Sequence, residues 1–453
     1  MSRCIWVTVA VTDRSAPLRA LLADLHLQCQ EVDVGLRILV VENSGLPGER
    51  ERNRATAAWL GAEGRSVALL DAPPYRRSIA DSRLRQRRWL EQELARGPAP
   101  TLIWMLDDDN RLEHLSQDGG VLSTRRLEHH VGRLLSLAEA PDRPDLLIGR
   151  VCGDPPIPPV ATLASRLVDL EANLDVLLCA RASTPAVEAL EALPLAADFD
   201  AYYDFSHERA EPTWAQPRRW LPQDATSTCS DEARAMLAEA ACLGQGVALA
   251  RPILVDPAAL SLIEPGYRRG GNAVFFDPSS CLDHRYPSLT IAGLQTRRGD
   301  MIGSTLLARR RRVRSGGFAV RHCRPRRPAF PSHAELVASA ASDTLGAALA
   351  RAITPDGAYL VDQFLDERTG RIEEALTTAV QAAKRLRTQL SSVHDHGLGE
   401  AVALVVRVLD WVCAELPVGP RGGGLNELLR SRAHRGMIEA TARDLQDVLE
   451  RVA

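Results

Sequence analysis

The run Leu102-Ile103-Trp104-Met105-Leu106 leads without a break into Asp107-Asp108-Asp109-Asn110. Apolar residues with no polar alternation read as a strand buried on both faces. Three adjacent carboxylates at its tail repel one another and need compensation. A chain with this feature must bury the strand in a layered core and leave its end at an opening. A divalent cation would neutralise the cluster, and hard oxygen ligands suit Mg2+ or Mn2+. The plainer alternative is a solvated acidic turn or a helix cap. On an extended chain Asp107 and Asp109 point to the same side, which makes them the metal candidates. Asp108 between them is a candidate for contact with whatever the metal binds.

The preceding sequence repeats the pattern. Residues 5–11, 36–41 and 66–70 predict strands, and residues 16–30, 50–60 and 79–96 carry apolar residues at helical spacing. Such β-α-β-α alternation predicts an α/β fold, a mostly parallel sheet with helices on both faces. Ligands of such sheets bind beyond the carboxyl ends of the strands. Thr12-Asp13, Glu42-Asn43 and Asp107 to Asp109 are therefore site candidates. From about residue 113 to 260 the rhythm gives way to a helical and loop insertion, with helices expected at 127–138 and 163–178. Strands resume at 273–276 and 318–322. Beyond the basic, proline-rich stretch 321–330 the chain reads as helices at 334–353, 359–365, 371–389, 398–415 and 425–452. A boundary near residue 330 separates a catalytic-type domain, 1–330, from a C-terminal helical domain, 331–453, whose helices would suit homo-oligomer formation.

Composition excludes several classes. The formal net charge over 453 residues is only -3, so nucleic acid is not an expected partner. Lys384 is the only lysine, so there is no Gly-Lys-Ser/Thr phosphate loop and no well-placed Schiff-base lysine. No G-x-G-x-x-G follows a strand. No apolar run approaches the roughly 20 residues of a membrane span. Residues 1–11 read as a first strand rather than a leader. The nine cysteines are scattered, without a C-x-x-C pair. A cytoplasmic location is the expectation.

Three more segments carry chemistry. Arg269-Gly270-Gly271-Asn272 precedes the strand at 273–276, and paired glycines let backbone approach a ligand closely. Thr296-Arg297-Arg298-Gly299-Asp300 opens a helix, where Asp300 is either a cap or a carboxylate offered to a cleft. His322 ends a strand as a possible further metal ligand or a structural histidine. Aromatics cluster at Phe199, Tyr202, Tyr203, Phe205, Trp214 and Trp220 in a chain with only 4% aromatic residues. They suit an acceptor surface, together with His207, Glu208 and Arg209, or a hydrophobic plug. The arginine runs 309–314 and 321–327 are phosphate-clamp candidates or solvated faces.

Taken in order, the strand-tail acidic cluster, Gly270-Gly271-Asn272, Asp300 and His322 resemble the core of GT-A-fold glycosyltransferases, especially the family-2-like inverting enzymes. The resemblance covers about residues 1–325 through short motifs. It implies that Asp107 and Asp109 match the D-x-D metal motif and His322 the terminal metal ligand. It implies that Gly270 and Gly271 line donor and acceptor and that Asp300 is the catalytic base. Val40-Val41-Glu42-Asn43-Ser44 looks like the strand end that holds the nucleoside, and Asp81 and Arg83 like contacts to the base or diphosphate. The implied cofactor is Mn2+ or Mg2+. The implied donor is a nucleotide-diphosphate sugar, with a small-molecule, glycan or peptide acceptor and inversion at the anomeric carbon. The chain departs from the family at Gly299, where an acidic residue is usual, so a retaining outcome stays open. Two other readings remain. A nucleotidyltransferase would share the sheet and acidic ligands, but Val11-Thr12-Asp13-Arg14-Ser15-Ala16 lacks the glycine-rich loop expected of one. A non-catalytic nucleotide-sugar-binding or scaffold protein could keep the same fold.

Overall fold

The structure, a computed structural model, describes residues 3–71, 79–126, 129–155, 162–196, 213–266, 272–284, 286, 289–291, 293–326, 331–353, 361–391, 398–416, 438, 440, 441 and 444. The first part runs β1 (Cys4–Val11), α1 (Ser15–Glu31), β2 (Gly35–Glu42), α2 (Pro47–Ala62), β3 (Ser66–Asp71), α3 (Ile79–Arg96) and β4 (Leu102–Asp107). The short β5 (Asn110–Arg111) follows, then a hairpin of β6 (Glu113–Asp118) and β7 (Val121–Arg126), α4 (His130–Glu139) and β8 (Leu146–Gly153). Next come α5 (Leu163–Cys179), α6 (Ala186–Leu190), α7 (Cys229–Ala240), β9 (Ile263–Pro265), β10 (Ala273–Phe275) and α8 (Pro278–Asp283). The chain continues with β11 (Thr290–Ile291), β12 (Leu294–Gln295), α9 (Gly299–Leu307), β13 (Val313–His322), α10 (His333–Ala352), α11 (Val361–Ser391) and α12 (Gly399–Glu415).

The central sheet has nine strands in the order β3-β2-β1-β4-β10-β8-β13-β5, with β9 also on β13. β1, β2, β3 and β4 pair in parallel, as do β8 and β13. β10 runs antiparallel to both β4 and β8. β4 and β8 therefore point the same way, and the two parallel blocks open their carboxyl ends on one edge. This is the α/β architecture expected from the sequence, with helices on both faces and further helices after it.

Side-chain parity along β4 explains why it is buried on both sides. Leu102, Trp104 and Leu106 enter a core with Leu18, Leu21 and Leu22 of α1 and Val131 and Leu134 of α4. Ile103 and Met105 enter the opposite core with Trp89 and Leu90 of α3 and Phe275 of β10. Both layers follow from period-two geometry. A third core joins α5 and α7 of the insertion to α10, α11 and α12. Chain segments on the two sides of residue 330 thus share one apolar core. Among the described residues no helix is long and apolar enough to cross a membrane.

Several elements differ from the sequence expectation. The stretch from 113 onward is not wholly helix and loop, because it holds the β6–β7 hairpin and β8, a strand at the centre of the sheet. β8 was hidden because Gly149-Arg150 interrupts its apolar run. The glycine is needed there: a Cβ at Gly149 would lie 2.3 Å from the Phe318 ring. That ring packs edge-on against Trp104 at 5.7 Å. Gly149→Ala is therefore expected to overpack the core and destabilise the fold by about 1–3 kcal/mol, seen as a lower denaturant midpoint. The two helices expected at 359–365 and 371–389 are one 31-residue helix, α11. Gly370 sits within it with nothing near where a Cβ would stand; Leu365, Ile372 and Leu376 on either side pack into the helical core and hold the helix through this poor helix former. The helix expected at 425–452 lies almost entirely outside the described residues.

Candidate active site

Strand direction brings the candidate residues together. The carboxyl ends of β1, β2, β4, β8 and β13 deliver Thr12, Glu42, Asp107, Gly153 and His322 to one edge of the sheet. β10 runs the other way, so its amino-terminal neighbour Asn272 reaches that same edge.

β4 ends at Asp107, and Asp108 and Asp109 form a turn. The two metal candidates therefore do not share one side of an extended chain, and the acidic cluster divides. Asp107 continues the parity of Ile103 and Met105 toward α3, where Arg83 Nη2 donates to its Oδ1 at 2.7 Å. Its backbone N–H donates to Asn110 Oδ1 at 3.0 Å. Asp108 turns toward the start of α1. It accepts from the Thr12 N–H and from Arg14 Nη1, both at 3.1 Å. The same Arg14 nitrogen donates to Asp109 Oδ2. His322 Nε2 lies 3.3 Å from that oxygen. Asp109 Oδ1 is buried and has no hydrogen-bond partner among the described residues.

His322 is oriented from behind. Its Nδ1 is 2.7 Å from the carbonyl oxygen of Asp154. A carbonyl only accepts, so Nδ1 carries the proton and Nε2 is the nitrogen turned to Asp109. Asp154 is itself almost completely buried. Its Oδ2 accepts from the Arg324 N–H and from Arg326 Nη1, both at 2.8 Å, and its Oδ1 accepts from the Ala248 N–H. Gly153 beside it adopts φ +83, and a Cβ there would lie 2.6 Å from the His322 carbonyl oxygen. Only glycine allows β8 and β13 to meet this closely.

Charges at this edge are strongly coupled. Burial, and then the neighbouring Asp109, push the Asp108 carboxyl up to about 7 against the pull of Arg14. Burial also raises Asp107, with Arg83 opposing and Asp109 and Asp300 adding to the rise. Burial works against charge on Asp109 too, yet His322, Arg14 and Arg324 together hold its carboxyl well below the usual carboxylate range. His322 is raised: burial disfavours its charge, and Asp109 outweighs that. Asp109 is thus the fixed negative charge of the cluster.

Asp300 lies in the first turn of α9. Its charge is felt by Asp107, Arg83 and Tyr286, so the start of α9 lies near them. Tyr286 lies under the Arg83 guanidinium, 5.5 Å from ring centroid to Cζ.

The other sequence candidates fall as follows. Asp13 takes a left-handed conformation, φ 50, and its Oδ1 accepts from the Leu46 N–H at 2.9 Å. It ties the β1 loop to the β2 loop. Glu42 is fully buried, holding the Ser44 N–H at 2.5 Å and Asn53 Nδ2 at 2.6 Å. It shapes the turn from within. The side chain beside it that keeps an unused acceptor is Asn43, whose Nδ2 donates to Ser82 Oγ at 2.6 Å while its Oδ1 is buried without a partner. Asp81 stands half-buried in the first turn of α3. Asn272 is fully buried, with Nδ2 donating to the Arg150 carbonyl at 3.3 Å and Oδ1 without a partner. Gly270 and Gly271 lie outside the described residues, as do Phe199, Tyr202, Tyr203, Phe205, His207, Glu208 and Arg209.

For two segments the structure decides between the alternatives. Trp214 and Trp220 follow the hydrophobic-plug reading: both are buried in the helical core, and Trp220 Nε1 donates to Glu232. In the run 309–314, Arg311 pairs with Asp277 and Asp283, and Arg309 donates to the Ile353 carbonyl, so these two serve the fold. Sequence reasoning missed Arg14 and Asp154. The signal for Asp154 was present, since Cys152-Gly153-Asp154 follows an apolar run as an acidic strand tail.

No protein-family model matches the chain. No curated protein matches it either. Among solved structures it is similar to mannosyltransferase PcManGT from Pyrobaculum calidifontis in complex with GDP-Man and Mn2+, at 12% identity and a TM-score of 0.37, over 100% of this chain and 87% of that one. It is also similar to S. aureus TarS 1-349, at 9% identity and a TM-score of 0.35, over 98% of this chain and 92% of that one. Likenesses this distant carry no functional argument, and the functional reading rests on the residues at the sheet edge.

Proposed function

We propose that the chain is a metal-dependent glycosyltransferase that moves a sugar from a nucleotide-diphosphate donor to a hydroxyl or amine acceptor. One observation carries this reading. Asp109, with a buried and unpartnered Oδ1, meets the Nε2 side of a backbone-anchored His322 at the carboxyl edge of a mostly parallel sheet, with Asp107 and Asp300 beside it.

Among the described residues no three His, Cys, Asp or Glu side chains gather as a ready-made metal cluster. Mg2+ or Mn2+ in the proposed site would therefore have few protein ligands and be completed by water and substrate phosphates. Asp109 and His322, which touch, are the residues that would hold it, with Asp107 turned to Arg83 beside them. The bound cation would neutralise charge developing on the diphosphate leaving group. Arg14, Arg83 and His322 balance the carboxylates in its place here, and the salt bridge from Arg14 to Asp109 must open for Oδ2 to face a cation.

Asp300 is the base in this reading. It takes the proton of the acceptor as the acceptor attacks the anomeric carbon opposite the leaving group, which gives inversion. Asn43 and Asn272 offer buried acceptors to hydrogen-bond donors of the nucleotide sugar. Arg83 holds Asp107 in place from below.

A panel of UDP- and GDP-sugars tested by thermal shift, with Mn2+ and with chelator, examines the proposal. At a hundredfold excess over Kd, the true donor is expected to add about 2.7 kcal/mol of stability, lost on chelation. Stabilisation by nucleoside triphosphates alone would point to nucleotidyl transfer instead. No response to any nucleotide would leave a scaffold protein.

A further inference from the structure

The segment that delivers Asp300 rests on the C-terminal helices. The Arg297 N–H donates to the Ser342 carbonyl of α10 at 3.1 Å. The contact is close enough that a Cβ on Gly346 would lie 2.1 Å from the Arg297 carbonyl oxygen. Arg298 then takes a left-handed conformation, φ 68 and ψ 28, as the residue that opens α9. A non-glycine residue holds such a conformation only where its surroundings impose it. The Arg298 side chain is held by Asp343 of α10. Arg298 Nε donates to its Oδ1 at 2.9 Å and Arg298 Nη2 to its Oδ2 at 2.7 Å, a two-pronged pair. Arg368 of α11 donates to the same Oδ2 at 2.7 Å. All three side chains are buried. From Arg298 the backbone enters α9 directly, with the Ile302 N–H donating to the Arg298 carbonyl at 3.0 Å. Asp300 stands in that first turn.

We infer that Asp343 is a positioning residue for Asp300, and that α10 and α11 form a structural wall of the active site. The inference rests on reading Asp300 as the base. The aspartate locks the Arg298 backbone, the Arg298 backbone sets the start and direction of α9, and α9 sets the distance between Asp300 and the acidic cluster. A role in association alone would not require the fork to Arg298 or the glycine under Arg297.

Asp343→Asn keeps the side chain's shape and removes its charge. With the donor that wild type turns over, it is expected to lower kcat about tenfold or more while donor KM changes by less than about threefold. In an Asp300→Asn background the same substitution should change the residual rate by less than about twofold, because nothing is left to position. Gly346→Ala presses on the Arg297 carbonyl without altering charge. It should reproduce both results, and it serves if Asp343→Asn does not fold. Equal losses with and without Asp300 would overturn the inference, leaving Asp343 as a fold-stabilising residue only. An unchanged kcat in both variants would also overturn it. Wild-type protein that turns over no nucleotide sugar would remove the reading underneath, and that result is seen before any variant is compared.

Discussion

Asp109→Ala is expected to lower kcat/KM for sugar transfer by about a thousandfold or more, because it removes an electrostatic element that acts where leaving-group charge develops. Three features single out Asp109 within the acidic triplet. It is the carboxylate held lowest in pKa, with Arg14, Arg324 and His322 around it. One of its oxygens is buried without a partner among the described residues, which leaves it open to a ligand. The other faces the one imidazole at the sheet edge whose far nitrogen is fixed by backbone. Asp108 differs. It already accepts the Thr12 N–H and Arg14, so Asp108→Asn should cost far less activity. Steady-state transfer rates, with the fold checked by circular dichroism, compare the two variants. Near-equal losses would mean that the triplet acts through its summed charge and that Asp109 has no special part.

Asp154→Ala is the second large effect, and it should appear first as stability. The buried carboxylate takes the Ala248 and Arg324 backbone N–H groups and Arg326 Nη1. Arg326 keeps Glu239 as a partner, but the two half-buried backbone groups would lose theirs. The expected loss is about 3–5 kcal/mol, as for breaking a buried charged network. It should show as a lower denaturant midpoint with little change in the slope. Activity should fall as well, because the loop carrying the Asp154 carbonyl is what holds His322 Nδ1. An unmoved midpoint would show that the network contributes little to the fold.

The fold was legible where the sequence is locally consistent. β1, β2 and β4 are continuous apolar runs, and their tails become the site edge because parallel strands end together. What stayed hidden depended on contacts far along the chain. β8 reads poorly because Gly149 yields its side-chain space to Phe318, 169 positions later in sequence. α11 reads as two helices because Gly370 breaks the local pattern and packing overrides it. The acidic triplet announced a site but not its internal arrangement. Strand geometry made Asp107 and Asp109 equivalent, whereas a turn after Asp107 sends Asp107 to Arg83 and gives Asp108 and Asp109 to Arg14. Glu42 looked like a ligand contact from its position at a strand tail, and its place under the Ser44 turn is visible only once Asn53 of α2 is folded against it. Trp214 and Trp220 could be read from sequence as a surface or as a plug, and packing decides for the plug.

The central claim is that a divalent cation and a nucleotide diphosphate share the edge formed by Asp107, Asp109 and His322. A crystal structure of the full chain soaked with Mn2+ and UDP or GDP, with data collected for the anomalous signal of manganese, tests it most directly. The expected result is a manganese peak bonded to Asp109, in contact with the diphosphate, with Arg14 moved away from Asp109. A nucleotide bound elsewhere, or a diphosphate held at this edge by Arg14 and Arg324 with no manganese peak, would contradict it.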